Sequence, residues 1–180
     1  MLLCFFNENN YFWRKNKGMI IRKAKTEEID SIMEVFDAAK QFMRKTGNDT
    51  QWIDGYPSKE FILDNIRNEG LYVCLSDEEQ LVGAFYFKIE DDRTYTKIYD
   101  GEWLNDKPYG VVHRIASNGK QKGIGDACLR WCFDQCGNIR VDTHRKNIVM
   151  QNVLHRNGYR QCGIIYVTNG TERLAFQKSR

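Results

Sequence analysis

No stretch of the 180 residues approaches the ~18–20 consecutive apolar residues of a membrane span. A charge excess is missing too: 27 basic against 24 acidic residues leave +3, too little to argue for a nucleic-acid surface. The six cysteines form no C-x-x-C pair and the three histidines no H-E-x-x-H, so no metal is expected. Cys128, Cys132 and Cys136 fall four apart, along one helical face. With Cys4, Cys74 and Cys162 they read as buried, reduced thiols of a cytoplasmic protein. The apolar opening, Met1 to Phe6, is shorter than the ~7–15 residues of a signal h-region; no basic residue precedes it and no small-residue cleavage site comes after it.

What is present suits one globular domain: 42% of residues are apolar and 28% charged, and the length allows a real core. Residues 1–18 do not match the pattern of the remaining chain and read as an N-terminal extension, with the domain over 19–180. Met19 to Ala24 is a first strand. Thr26 is the expected N-cap of a helix whose stripe, Ile29, Ile32, Met33, Phe36, Ala39 and Met43, runs to about Lys45. Next comes a loop with Gln51, Trp52, Asp54 and Tyr56, then a helix capped by Ser58 and stopped near Gly70. Leu71–Leu75 and Leu81–Ile89 form a hairpin, and a long connection carries Tyr99, Asp100, Glu102 and Trp103.

The centre of the chain is residues 109–136. Tyr109 to Ala116 is a short β-branched run; Ser117 to Gly125 is a loop of Gly, Ser, Asn and Lys. Ile124, Ala127, Cys128, Trp131 and Cys132 then make the apolar stripe of a helix. The start of such a helix leaves about four N–H groups without intrahelical partners, and its dipole favours negative charge. With Gly123 and Gly125 bare and Lys120 and Lys122 nearby, this is a phosphate cradle. Walker spacing fails, because the position after Gly119 that needs glycine is Ile124; a dinucleotide fingerprint fails because its third glycine falls on Cys128. Beyond lie a strand from Asn138 to His144, a helix opened by Asn147 and ended by Gly158, and a hairpin of Tyr159–Val167 with Glu172–Gln177.

Lys120-Gln121-Lys122-Gly123-Ile124-Gly125 resembles the Arg/Gln-x-x-Gly-x-Gly/Ala pyrophosphate loop of the GNAT superfamily, the Gcn5-related N-acetyltransferases. The element order over residues 19–178 is similar as well. Further runs resemble bacterial members: Trp103-Leu104-Asn105-Asp106, Arg114-Ile115-Ala116, Asp142-Thr143-His144 and Cys162-Gly163-Ile164-Ile165. The resemblance implies a mixed α/β fold. Its central, mostly antiparallel sheet of six to seven strands is splayed between the fourth and fifth and flanked by about four helices. It implies acetyl-coenzyme A as co-substrate and a small-molecule or peptide amine as acceptor; a homodimer is common for such domains.

Implied cofactor contacts are Ile115, Ala116, Lys120, Gln121, Lys122, Gly123, Ile124, Gly125, Asp126 and Asn147, with the Ile115 N–H polarising the thioester carbonyl. Trp52, Asp54, Tyr99 and Glu102 are candidates for the acceptor side, and the acids Asp49, Asp54, Asp100 and Glu102 favour a cationic amine. The base candidates are His113, whose ordinary pKa of ~6.5 suits the task, and its rivals His144 and Asp142. Where many relatives carry a catalytic Tyr, this chain has Leu154, which leaves Tyr109, Tyr159, Cys162 or no protein group as the proton donor. That leucine supports a rival reading, a non-catalytic acyl-coenzyme A-binding module.

Overall fold

The computed structural model describes residues 19–180; the expected N-terminal extension lies outside the described residues. Seven strands and four α-helices alternate as β1 (Ile20–Lys23), α1 (Ile29–Lys45), α2 (Lys59–Arg67), β2 (Leu71–Leu75), β3 (Leu81–Ile89), β4 (Gly110–Ser117), α3 (Ile124–Cys136), β5 (Asn138–Thr143), α4 (Ile148–Arg156), β6 (Arg160–Tyr166) and β7 (Glu172–Ser179). Short 3-10 turns at Thr26–Glu28 and Arg93–Tyr95 complete the described elements. Thr26 does not cap α1. It begins the 3-10 turn, and the Glu28 carboxylate, held by Arg22, accepts instead from the Lys25 N–H at 2.9 Å.

The strands form one sheet in the order β1-β2-β3-β4-β5-β7-β6. Every pairing is antiparallel except β4 with β5. Alternation along the strands sorts side chains between two faces. Cys74, Phe85, Phe87, Val112, Ile139 and Val141 face α3 and α4, around Cys128, Leu129, Trp131 and Leu154. Leu71, Val73, Leu75, Ala84 and Ala116 face α1 and α2, around Ile32, Phe36 and Ile62. Cys74, Cys128, Cys132, Cys136 and Cys162 are free thiols, and the Sγ atoms of Cys74 and Cys128 lie 3.6 Å apart.

The helices of the second face do not reach its far half. There the long β3–β4 connection covers the sheet, burying Tyr95 and Tyr109 over Val111, Ile165 and Ala175. Trp103 donates to the Tyr95 carbonyl at 3.0 Å, and the Arg140 guanidinium lies 4.3 Å from the Trp103 ring and 4.1 Å from that of Tyr109. Farther along, Tyr99 pairs with Ile164 of β6. A Cβ on Gly101 would stand 1.9 Å from the Cys162 carbonyl oxygen, so only glycine fits that contact. The aromatic run that could have lined a site is therefore mostly packing.

Candidate active site

The ladder between β4 and β5 is three rungs long: Gly110 with Ile139, Val111 with Arg140, Val112 with Val141. Beyond Val112 the two strands part. β4 continues against β3 alone and β5 against β7 alone. The pairing of β4 with β3 also slips: two residues, Arg114 and Ile115, stand against Phe85, and Arg114 takes φ +56°. A bulge of this kind bends its strand and turns it away from a neighbour.

A cavity of about 560 Å³ occupies the fork. Its walls are β4 from Val112 to Ile115, β5 from Val141 to Thr143, the α1–α2 loop with Trp52, Asp54 and Tyr56, Asn147 and Met150 at α4, and the β6–β7 turn with Arg173. The loop is tied across the fork: Gln51 Oε1 accepts from Asn48 at 2.7 Å and from Asn147 at 3.0 Å, and Lys146 pairs with Asp49 at 3.2 Å. Asn147 also caps α4 by accepting from the Met150 N–H. Trp52 packs on Phe36, 5.8 Å between ring centres.

His113 and Asp142 are the first residues past the closed ladder, and both side chains enter the cavity. The His113 Nδ1 lies 3.7 Å from Asp142 Oδ1, and its Nε2 lies 2.8 Å from Asp92 Oδ2. The ring sits between Tyr86 and Tyr95, 6.0 and 5.9 Å between centres. Burial alone would raise the Asp92 pKa, but hydrogen bonds from His113 and from Thr94 outweigh it and hold the carboxyl at about 2. Asp92 is thus ionised at neutral pH and accepts a hydrogen bond from Nε2–H; in the neutral imidazole that tautomer carries its lone pair on Nδ1. The Tyr95 hydroxyl, kept protonated by burial and by Asp142, donates to Asp142 Oδ1 at 2.8 Å, and Arg173 flanks the other oxygen at 3.8 Å.

His144, the rival to His113, does not line the cavity; its Nδ1 accepts from the Lys146 N–H, and burial with the Arg173 and Lys146 cations lowers its pKa. Tyr99 and Glu102 lie along β6 rather than at the fork, Tyr99 edge-on to Tyr166 and Glu102 N–H bonded to the Cys162 carbonyl. Leu154 is fully buried in the core. The Tyr159 hydroxyl is buried, 3.4 Å from the Leu129 carbonyl, and its pKa is driven far up by that burial. The Cys162 thiol is also raised by burial and faces the Arg160 carbonyl. Tyr109 accepts from the Asp92 N–H at 3.3 Å beneath Arg140. None of these three lines the cavity. Asp92 and Tyr95, which build the histidine's surroundings, carry no local signal in the sequence; an acidic run opening a long loop looks like solvated surface.

At the other end of β4 the chain turns through Lys120 and Lys122 into α3. Gly123 has φ +80° and open space where a Cβ would be. The N–H groups of Ile124, Gly125 and Asp126 find no acceptor among the described residues. Gly125 answers to packing, since its Cβ would stand 3.2 Å from Val153 of α4. Ile124 is turned inward, and only glycine at position 83 leaves room for its methyl group. Ala116 is buried towards α1 and α2. The Asp126 carboxylate is engaged by Arg156 at 2.6 and 2.7 Å and by Asn157 at 2.7 Å and ties α3 to α4, so its N–H is the group this residue presents at the loop.

No protein-family model and no curated protein matches the chain. Solved structures do. The fold is similar to a GNAT-family acetyltransferase from Streptococcus agalactiae, with 35% identity over 96% of this chain and 99% of that one and a TM-score of 0.83. A GNAT-family acetyltransferase from Listeria monocytogenes shares 17% identity over 94% and 99% of the two chains, at a TM-score of 0.69. A phosphinothricin acetyltransferase of the GNAT superfamily from Sinorhizobium meliloti, solved with acetyl-coenzyme A, shares 16% over 89% and 87%, at 0.59. At those lower identities the likeness is one of fold alone. The match to the streptococcal protein runs at higher identity through nearly the whole length of both chains, and on it the chain belongs to the GNAT family of acetyltransferases.

Proposed function

We propose that this protein transfers an acetyl group from acetyl-coenzyme A to the amine of a small molecule or peptide. The carrying observation is the fork: a strand that leaves its partner after three rungs, with a histidine held at the parting. Backbone groups of β4 past Val112 have no partner in β5. An extended arm fits such a gap, because it can take strand-type hydrogen bonds there. The unpaired N–H groups at the start of α3, with Lys120 and Lys122 beside them and the open Gly123, suit a diphosphate. Gln121 belongs to the same loop, and the Ile115 N–H is the donor assigned to the carbonyl that is attacked.

Attack requires a neutral amine, so one proton must leave the ammonium. His113 Nδ1 is assigned that task, and Asp92 fixes the tautomer that makes it available. The imidazolium that results stands between Asp92 and Asp142. Asp54 at the cavity wall is assigned to drawing the cationic amine in. Leu154 donates no proton, so the thiolate of coenzyme A leaves without one from the protein, and the second proton that the nitrogen loses as the amide forms passes to that thiolate or to water.

Thermal unfolding with and without acetyl-coenzyme A tests the cofactor. At ~100 Kd the ligand adds ~2.7 kcal/mol of stability, and a Lys120→Glu/Lys122→Glu variant loses most of that gain. An amine screen with thiol detection then tests turnover. Binding without turnover on any amine would favour the non-catalytic module, and no binding would end both readings.

A further inference from the structure

Arg114 comes directly after His113 in β4, and in a regular strand the two side chains would lie on opposite faces. Here they do not. The bulge puts Arg114 in the left-handed region, φ +56°, at a cost of about 1 kcal/mol for a non-glycine residue. Its guanidinium carbon then stands 4.8 Å from the centre of the Tyr86 ring, the ring that His113 faces at 6.0 Å. Phe61 of α2 covers the guanidinium at 4.9 Å. Two neutral groups hold it, Asn65 Oδ1 at 2.7 Å and the Tyr56 hydroxyl at 3.2 Å.

Nothing anionic answers it. Among the described residues Arg114 makes no ion pair, and its buried Nε has no hydrogen-bond partner. Of the other charges at the cavity, Asp92 and Asp142 flank His113, Arg173 reaches Asp142, and Asp54 adds an acid at the wall. Glu90, which the Tyr86 hydroxyl touches at 2.7 Å, is shared with Lys88 at 3.6 Å. A guanidinium carries five N–H donors, and with one bond made from each Nη one donor on each remains for the oxygens of a carboxylate. Aromatic rings on its sides and an amide at its edge fix the group without neutralising it.

We infer that the acceptor carries a carboxylate as well as its amine, that is, a small amino acid or similar zwitterion, with Arg114 taking the carboxylate while the amine meets His113. The inference rests on the acetyl-transfer reading and narrows its acceptor. It reverses the weight given to the acidic loop residues: the cavity offers an acid–base pair for one end of the acceptor and an unmatched cation for the other. The Arg114 bulge then has a chemical purpose, since it lets consecutive residues of one strand face the same ligand.

The experiment compares free amino acids with their primary amides, which keep the amine and lose the negative charge, using acetyl-coenzyme A and the intact protein. The wild type is expected to favour the acids by roughly 10- to 100-fold in kcat/KM. In Arg114→Gln that preference should collapse towards one through a rise in KM for the acids; Arg114→Lys should restore part of it. Amides used as well as acids by the wild type would overturn the carboxylate while leaving acetyl transfer intact, and that comparison needs no variant to fold. A preference that survives in Arg114→Gln would overturn the role of that arginine. Failure of the wild type on both classes would take down the acetyl-transfer reading, and this inference with it.

Discussion

The two halves of β4 have different neighbours and different chemistry. From Gly110 to Val112 the strand is paired on both sides, and its valines are buried to within 1% of full enclosure. From His113 to Ser117 it has a partner on one side only, and histidine and arginine face the cavity. On the closed rungs the β4 side chains are apolar because both faces of the sheet are covered there. Open rungs free backbone donors and acceptors, and polar side chains can stay because the cavity hydrates or ligates them. One strand thus serves as core and as site, and the boundary between the two is a single residue wide.

Substitutions can break that boundary from either side. The largest effect belongs to His113→Ala, which should lower kcat by about 10²–10⁴ while acetyl-coenzyme A binding holds, read by steady-state kinetics beside a binding titration. An unchanged kcat would show that the open half holds no base. On the closed half, Ile139→Ala at the fully buried first rung should cost about 2–5 kcal/mol in denaturant unfolding. Ser117→Ala, at the open end, should stay within about 0.5 kcal/mol.

Asp92 sharpens the contrast through pH. Its folded pKa of about 2 lies below the ordinary carboxylate value of ~3.9, so the stability it contributes is complete above the latter and fades as pH falls through the former. The contribution is roughly 2 kcal/mol at neutral pH. Asp92→Asn should therefore melt lower than the wild type at pH 7 and approach it near pH 2. Parallel curves across that window would mean that the carboxylate is not held as described. The smallest effect is a difference in KM. Asp54→Ala should raise the acceptor KM a few-fold, whereas Glu102→Ala, bonded along β6, should leave it where it was.

Local pattern carries most of the fold. The stripes of α1 and α3, the Ser58 cap of α2 and the Asn147 cap of α4 all stand where their spacing puts them, because each depends on neighbours within a few residues. The strand–loop–helix around Gly123 is legible for the same reason, and it carries the family. Thr26 misleads because the competing cap, Glu28, is itself held by Arg22 from the preceding strand. The inter-helix role of the Asp126 carboxylate is not legible locally, because its partner Arg156 lies 30 residues away on α4.

By itself, then, the chain's sequence determined the order of its elements, the apolar stripes of its helices and the glycine-bearing loop that opens α3, since periodicity and glycine placement act locally. Only the tertiary structure decided which titratable groups meet. Asp92 reaches His113 because a connection about twenty residues long is pinned by Trp103, Arg140 and Gly101, contacts that no local pattern encodes. Arg114 joins His113 because two strands of unequal length are in register on one side and slip on the other. Such meetings depend on how the sheet closes, and that is settled by the packing of the whole chain.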